Sequence, residues 1–129
     1  MDHISLSRWA DLILIAPATA NTISKLANGN ADDLASAVAL ASNKKIFIAP
    51  AMNVRMWEHQ STRENISKIK TYNYKLIGPE IGDMACGEYG EGKMLEPKNI
   101  VNEIEKYFKN LRKNNNCLLY TSDAADERN

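Results

Sequence analysis

Three short stretches carry residue types that could do chemistry. In Ala85-Cys86-Gly87-Glu88-Tyr89-Gly90-Glu91-Gly92-Lys93-Met94 a cysteine lies in a glycine-rich segment. A thiol there is placed to give or take a proton. A free cysteine in an apolar run would instead act as a small hydrophobe. In Pro50-Ala51-Met52-Asn53-Val54-Arg55-Met56-Trp57 one hydrogen-bonding side chain, Asn53, stands among methionines and a tryptophan. Small-molecule sites commonly pair such a polar group with apolar walls. The same string also reads as core, Met56 and Trp57, with Asn53 as a helix cap. Pro17-Ala18-Thr19-Ala20-Asn21-Thr22 combines hydroxyls, a carboxamide and small side chains. At a helix start these could receive a flat or anionic ligand, and they equally suit an ordinary strand-to-helix turn. His3 precedes the first apolar run by one short segment and reads as either functional or exposed. His59, in a polar stretch, reads as a surface residue.

The elements that must position these stretches follow from the apolar pattern. Residues 12–16 form a branched, apolar run closed by Pro17, which predicts a fully buried parallel strand. Residues 19–28 look helical, with Gly29 as the stop. Asp32 and Asp33 suit the start of a second helix, and residues 34–41, small and apolar, suit a buried one. Residues 45–49, closed by Pro50, predict a second buried strand. Residues 61–73 predict a helix, with Ser61 and Glu64 spaced as a capping box. Residues 75–77 predict a short third strand, and residues 82–92 a glycine-rich loop. Pro97 opens a last amphipathic helix, with the asparagine run after residue 109 as its exit. Strands alternating with helices imply a parallel sheet, whose ligands sit at the carboxyl ends of the strands. The loops 17–22, 50–57 and 78–94 should therefore converge on one edge.

Composition narrows the function classes. Sixteen basic and sixteen acidic residues cancel over 129 residues, which gives no electrostatic case for nucleic acid or an anionic membrane. The apolar runs are too short to span a bilayer, and residues 1–5 do not resemble a signal peptide. Two cysteines, Cys86 and Cys117, cannot make a four-ligand zinc site, so no metal is expected. The chain reads as cytoplasmic. Residues 1–108 read as one domain and residues 109–129 as a disordered or artefactual tail.

Taken in order, His3-Ile4, the Pro17–Thr22 string, Pro50-Ala51-Met52-Asn53 with Met56-Trp57, and Ala85-Cys86-Gly87 with Gly90 and Gly92 resemble the homo-oligomeric, flavin-containing cysteine decarboxylases. The resemblance spans residues 3–108. It implies an α/β fold, a Rossmann-like (flavodoxin-like) doubly wound parallel sheet. The family begins with a further strand and a glycine-rich loop that grips the FMN phosphate, so the sheet is expected to be incomplete at the N-terminus here. The branch it most resembles acts on phosphopantothenoylcysteine in coenzyme A synthesis, with FMN as cofactor, and is therefore a carboxy-lyase. By resemblance, His3 is the catalytic histidine, Asn53 holds the substrate carboxylate and Cys86 donates the proton of the last step. Thr19, Ala20, Asn21, Thr22 and Ala51 match FMN contacts. Met52, Asn53, Met56, Ala85, Gly90 and Lys93 match substrate contacts, Lys93 standing where the family usually has arginine. A trimer-based homo-oligomer and a fusion to phosphopantothenate–cysteine ligase are likewise implied. Peptide-modifying relatives share the asparagine motif but lack the matching cysteine, which makes them the alternative enzyme. A non-catalytic flavin-binding or regulatory module is the alternative from another class, and the co-occurrence of His3, Asn53 and Cys86 argues against it.

Overall fold

The three branched runs do become a parallel sheet. The computed structural model describes residues 10–122, with side chains as far as residue 112. Strands β1 (Leu12–Ala18), β2 (Lys45–Pro50) and β3 (Tyr74–Leu76) pair in parallel, in that order. Their register sets Ile13 beside Ile46, and Ile15 beside Ile48 and then Leu76. Strand alternation throws Ile13, Ile15, Ile46, Ile48, Tyr74 and Leu76 to one face. Helices α1 (Ala20–Asn28) and α2 (Leu34–Ala41) lead from β1 to β2, and α3 (Val54–Glu58) and α4 (Gln60–Lys70) from β2 to β3. They cover that face with Ile23, Leu26, Ala27, Ala39, Trp57, Ile66 and Ile69. Each fully buried Ile or Leu in this layer contributes roughly 1.5–3 kcal/mol. The Arg63 guanidinium lies 4.1 Å from the centre of the Trp57 ring. After β3 come β4 (Glu80–Asp83) and β5 (Tyr89–Lys93), an antiparallel pair, and then α5 (Pro97–Ser122).

Local chemistry sets the helix ends. Thr19 Oγ1 accepts from the Thr22 amide at 3.2 Å to start α1. Gly29 stops it at φ +73°, a left-handed conformation that costs glycine little. Asp33 and Ser36 form the capping box of α2, with the Ser36 amide 2.8 Å from Asp33 Oδ1. Lys25 of α1 reaches both Asp32 at 2.9 Å and Asp33 at 2.7 Å, so one ion cluster fixes the α1–α2 connection.

Several expectations are revised. β1 is not fully buried: Leu14 is 39% exposed and Ala16 is exposed, because among the described residues β1 pairs only with β2. It also continues past Pro17 to Ala18. In α2 only Ser36 and Ala39 are buried, and Leu34 is 62% exposed. The Ser61–Glu64 box does not form. α4 begins one residue earlier and is capped by His59, whose Nδ1 accepts from the Ser61 amide at 3.0 Å, while Glu64 accepts from Gln60. The glycine-rich loop is the β4–β5 hairpin. The last helix does not exit at the asparagine run but continues to Ser122. The chain divides into two compact units between Leu95 and Glu96. Among the described residues no helix is long and apolar enough to cross a membrane.

The ion cluster makes stability depend on pH. Lys25 first, and then the Ser36 amide, hold the Asp33 carboxyl well below its usual value of 3.8. A carboxyl depressed by folding contributes its full stabilisation above the unfolded value, begins to lose it as pH falls below that value, and has lost it only once pH has passed the depressed folded one. Lys25, raised by Asp33 and then Asp32, contributes below the usual lysine value and loses its share as pH rises through the elevated one. Asp33→Asn keeps a capping oxygen but removes the charge. The variant should unfold at lower urea than the parent at pH 7, and the gap should be narrower at about pH 3. Urea titrations of both proteins at the two pH values measure this.

Candidate active site

The carboxyl ends of β1 and β2 lie side by side, Ala18 against Pro50, with the Ala51 amide donating to the Ala18 carbonyl at 3.0 Å. β5 crosses this edge, and the Met52 amide donates to the Gly92 carbonyl at 2.9 Å. The loops after β1 and β2 and the hairpin after β3 therefore meet on one edge, as the parallel sheet predicts.

A cleft of about 410 Å³ opens where the hairpin rests on the end of β2. Ala51, Met52 and Asn53 line it from the strand end, and Ala85, Cys86 and Lys93 from the hairpin. Asn53 caps the short helix α3, its Oδ1 accepting from the Met56 amide at 2.8 Å. An amide N–H can only donate, so the atom facing it must be the oxygen. Nδ2 remains as a donor. The cap reading and the ligand reading of Asn53 are thus compatible.

Cys86 is exposed, at the tip of the turn that joins β4 to β5. Gly87 N–H donates to the Met84 carbonyl at 2.9 Å and Met84 N–H to the Glu88 carbonyl at 2.8 Å, which closes the turn. Glu88 was singled out by nothing in the sequence beyond its place in the motif. Its Oε1 accepts from the Val54 amide at 3.2 Å and lies 3.8 Å from Cys86 Sγ. Lys93 folds along the hairpin, where its side chain covers Gly82.

The remaining sequence candidates are distributed differently. Met56 is not in this cleft. It lies three residues along α3, 45% exposed, in a second hollow of about 320 Å³ with Ala20, Arg55, His59, Ser61 and Thr62. Gly90 packs against Val54 rather than lining the cleft. Trp57 is core, as the plainer reading had it. Thr19, Asn21 and Thr22 form the first turn of α1 and line neither hollow. His3 lies outside the described residues. Among those residues no group of His, Cys, Asp and Glu is assembled to hold a metal.

Comparison with known proteins places this arrangement. Residues 1–109 match the family described as Flavoprotein. This chain is a member of the flavoprotein family. It is 49% identical over 108 residues to the coenzyme A biosynthesis bifunctional protein CoaBC of Bacillus subtilis, a match covering 84% of this chain and 27% of that protein. Among solved structures it superposes on a cysteine-to-serine mutant of PPC decarboxylase complexed with pantothenoylaminoethenethiol. The TM-score is 0.80 and the identity 38%, over 83% of this chain and 60% of that one. It also superposes on the FMN binding protein AtHal3, with TM-score 0.76 and 38% identity, over 84% and 60% of the two chains. The chain therefore spans about a quarter of the curated relative and three-fifths of the solved ones. The Rossmann-like (flavodoxin-like) parallel sheet is borne out by these superpositions.

The crossing of β5 over the β2 end makes a demand on sequence. Gly92 has φ +131°, and a Cβ there would run into the Met52 carbonyl oxygen. Gly92→Ala should lower stability by roughly 1–3 kcal/mol. It should also loosen the hairpin, so that protease cuts faster within residues 84–88. Urea unfolding and limited proteolysis against the parent read the two effects.

Proposed function

We propose that the protein to which this chain belongs decarboxylates phosphopantothenoylcysteine to phosphopantetheine with FMN, in coenzyme A synthesis. The observation that carries this reading is one cleft lined by Asn53 from the strand end and Cys86 from the hairpin. The similarity to CoaBC and to PPC decarboxylase supports it, as does the enethiol complex of the cysteine-to-serine relative.

The residues at the strand ends suit the cofactor. Thr19 holds the Thr22 amide and accepts the Ile23 amide on its carbonyl. The outward donors of the first turn are then the amides of Ala20 and Asn21, beside two hydroxyls and the exposed Asn21 side chain. Ala18, Ala20 and Ala51 keep the edge low enough for a flat ring. Thr19, Ala20, Asn21, Thr22 and Ala51 are the residues that would hold FMN. When bound, FMN supplies the acceptor that converts the thiol-bearing carbon to a thiocarbonyl and the hydride that later restores it.

The protein's own groups bind, orient and protonate. Asn53 Nδ2 donates to the substrate carboxylate, fixing the carbon–carbon bond that breaks as carbon dioxide leaves. Met52 and Ala85 supply apolar wall, and Lys93 a positive charge suited to an anionic substrate. Lys93 offers a point charge where an arginine would offer a planar fork. Cys86 gives its proton to the carbon that has lost carboxylate. His3 keeps the role of catalytic histidine that the resemblance assigns. Gly90 serves by letting the hairpin reach Val54. Met56, set apart from the cleft within one chain, would meet substrate across a contact between subunits. Such a contact would belong to the trimer-based homo-oligomer that the resemblance implies. The CoaBC similarity supports a fused ligase half, and coenzyme A synthesis a cytoplasmic setting. The presence of Cys86 favours this substrate over peptidyl cysteines.

Two substitutions in the full-length protein separate the steps. Asn53→Asp retains a capping oxygen but loses the donor and sets like charges together, so it should fold and release no carbon dioxide. Cys86→Ser should release carbon dioxide and accumulate enethiol, because a hydroxyl is a much weaker acid than a thiol. Anaerobic incubation with phosphopantothenoylcysteine, followed by carbon dioxide release and product mass, tests both. Phosphopantetheine formed at the parent rate by Cys86→Ser would refute the role given to the thiol.

A further inference from the structure

We infer that Glu88 is a positioning residue that ties the Cys86 turn to the Asn53 loop, so that the proton donor stays tethered beside the carboxylate holder. The inference rests on the decarboxylase reading above and extends it to a residue outside the cleft lining. One oxygen of this half-buried carboxylate makes both contacts. Oε1 accepts from the Val54 amide at 3.2 Å and from the Cys86 thiol at 3.8 Å. Val54 directly follows Asn53, and Cys86 is far from it in sequence, so a single side chain spans the two walls of the cleft.

The rest of the hairpin fixes where that side chain starts. The Glu88 carbonyl accepts from Met84 at 2.8 Å, and the Gly87 amide closes the turn onto Met84. Gly90 lets the hairpin press on Val54, for a Cβ there would meet Val54 Cγ2 at 2.7 Å. Among the described residues the Cys86 side chain has no such anchor apart from Glu88. It is exposed at a turn tip, where an unheld thiol would sample many orientations. A proton donor that is misplaced by an ångström loses much of its rate. A hydrogen bond to Glu88 narrows that range while leaving the thiol able to swing into the cleft.

Three variants test this. Glu88→Ala removes the acceptor, Glu88→Gln keeps an acceptor oxygen without the charge, and Glu88→Asp shortens the reach by one methylene. In Glu88→Ala, the Val54 amide should exchange faster and iodoacetamide should alkylate Cys86 faster than in the parent. In the FMN-loaded full-length protein the ratio of enethiol to phosphopantetheine should rise roughly tenfold. Glu88→Gln should restore all three readouts. If Glu88→Ala does not fold, Glu88→Asp should show the same directions. Unchanged Val54 exchange, or faster exchange with an unchanged product ratio, overturns the inference. So does a Glu88→Gln protein that behaves like Glu88→Ala, since charge rather than position would then be responsible. A parent protein that yields neither enethiol nor product refutes the decarboxylase reading instead. The exchange and alkylation readouts still decide whether the tie exists.

Discussion

The site depends on one close approach of two backbones. β5 can cross the end of β2 only because position 92 has no side chain, which brings the Gly92 carbonyl to 2.9 Å from the Met52 amide. A two-stranded hairpin alone in water is marginal at best. This one gains a foothold through that bond, through Gly90 against Val54 and through Glu88 on the Val54 amide. Everything the hairpin presents, Cys86 and Lys93 included, is located relative to the sheet by those three contacts. The strained φ at Gly92 is tolerable because glycine occupies that region at little cost.

The other half of the cleft inherits its rigidity from the parallel sheet. Strands that end together leave backbone groups unpaired along one edge, and helix starts supply more of them. The chain covers part of this need with its own side chains, Thr19 for α1 and Asn53 for α3. Capping and recognition usually compete for a polar side chain. In the proposed reaction they divide one carboxamide between them, oxygen to the helix and nitrogen to the substrate. A carboxamide suits this division because its two ends have opposite hydrogen-bonding character.

What could be read in advance follows the range of the interactions involved. The strands were legible because runs such as Ile46-Phe47-Ile48 have few other uses, and the α1 stop because only glycine takes left-handed φ cheaply. The exposure of Leu14 was not legible, because burial of a strand depends on neighbours beyond its own residues. The Ser61–Glu64 spacing was a valid box pattern, yet the His59 ring took the Ser61 amide, since α3 ends at Glu58 and the chain turns directly into α4. The glycines at 82, 87, 90 and 92 suggested a loop, whereas Gly82, Gly90 and Gly92 sit in paired strands for the sake of close approach. Asn53 and Cys86 could be picked out by type and motif. That they share a cleft, and that Met56 does not, required the fold. Glu88 looked like an ordinary polar residue because its partner, the Val54 amide, is distant in sequence.

Asn53 and Cys86 are held with unequal firmness, and the proposed chemistry gives a reason. The 51–54 loop is pinned by three hydrogen bonds, from Ala51 to Ala18, from Met52 to Gly92 and from Val54 to Glu88. Among the described residues Cys86 is held by its turn and by one long sulfur contact. A group that holds a carboxylate while a bond to it breaks must not shift, because its value lies in fixed orientation. In the proposed reaction a proton donor must reach a carbon that becomes available only after carbon dioxide has gone, and then withdraw. Rigid anchoring at the strand end and a short tether on the hairpin meet those opposite requirements within one cleft.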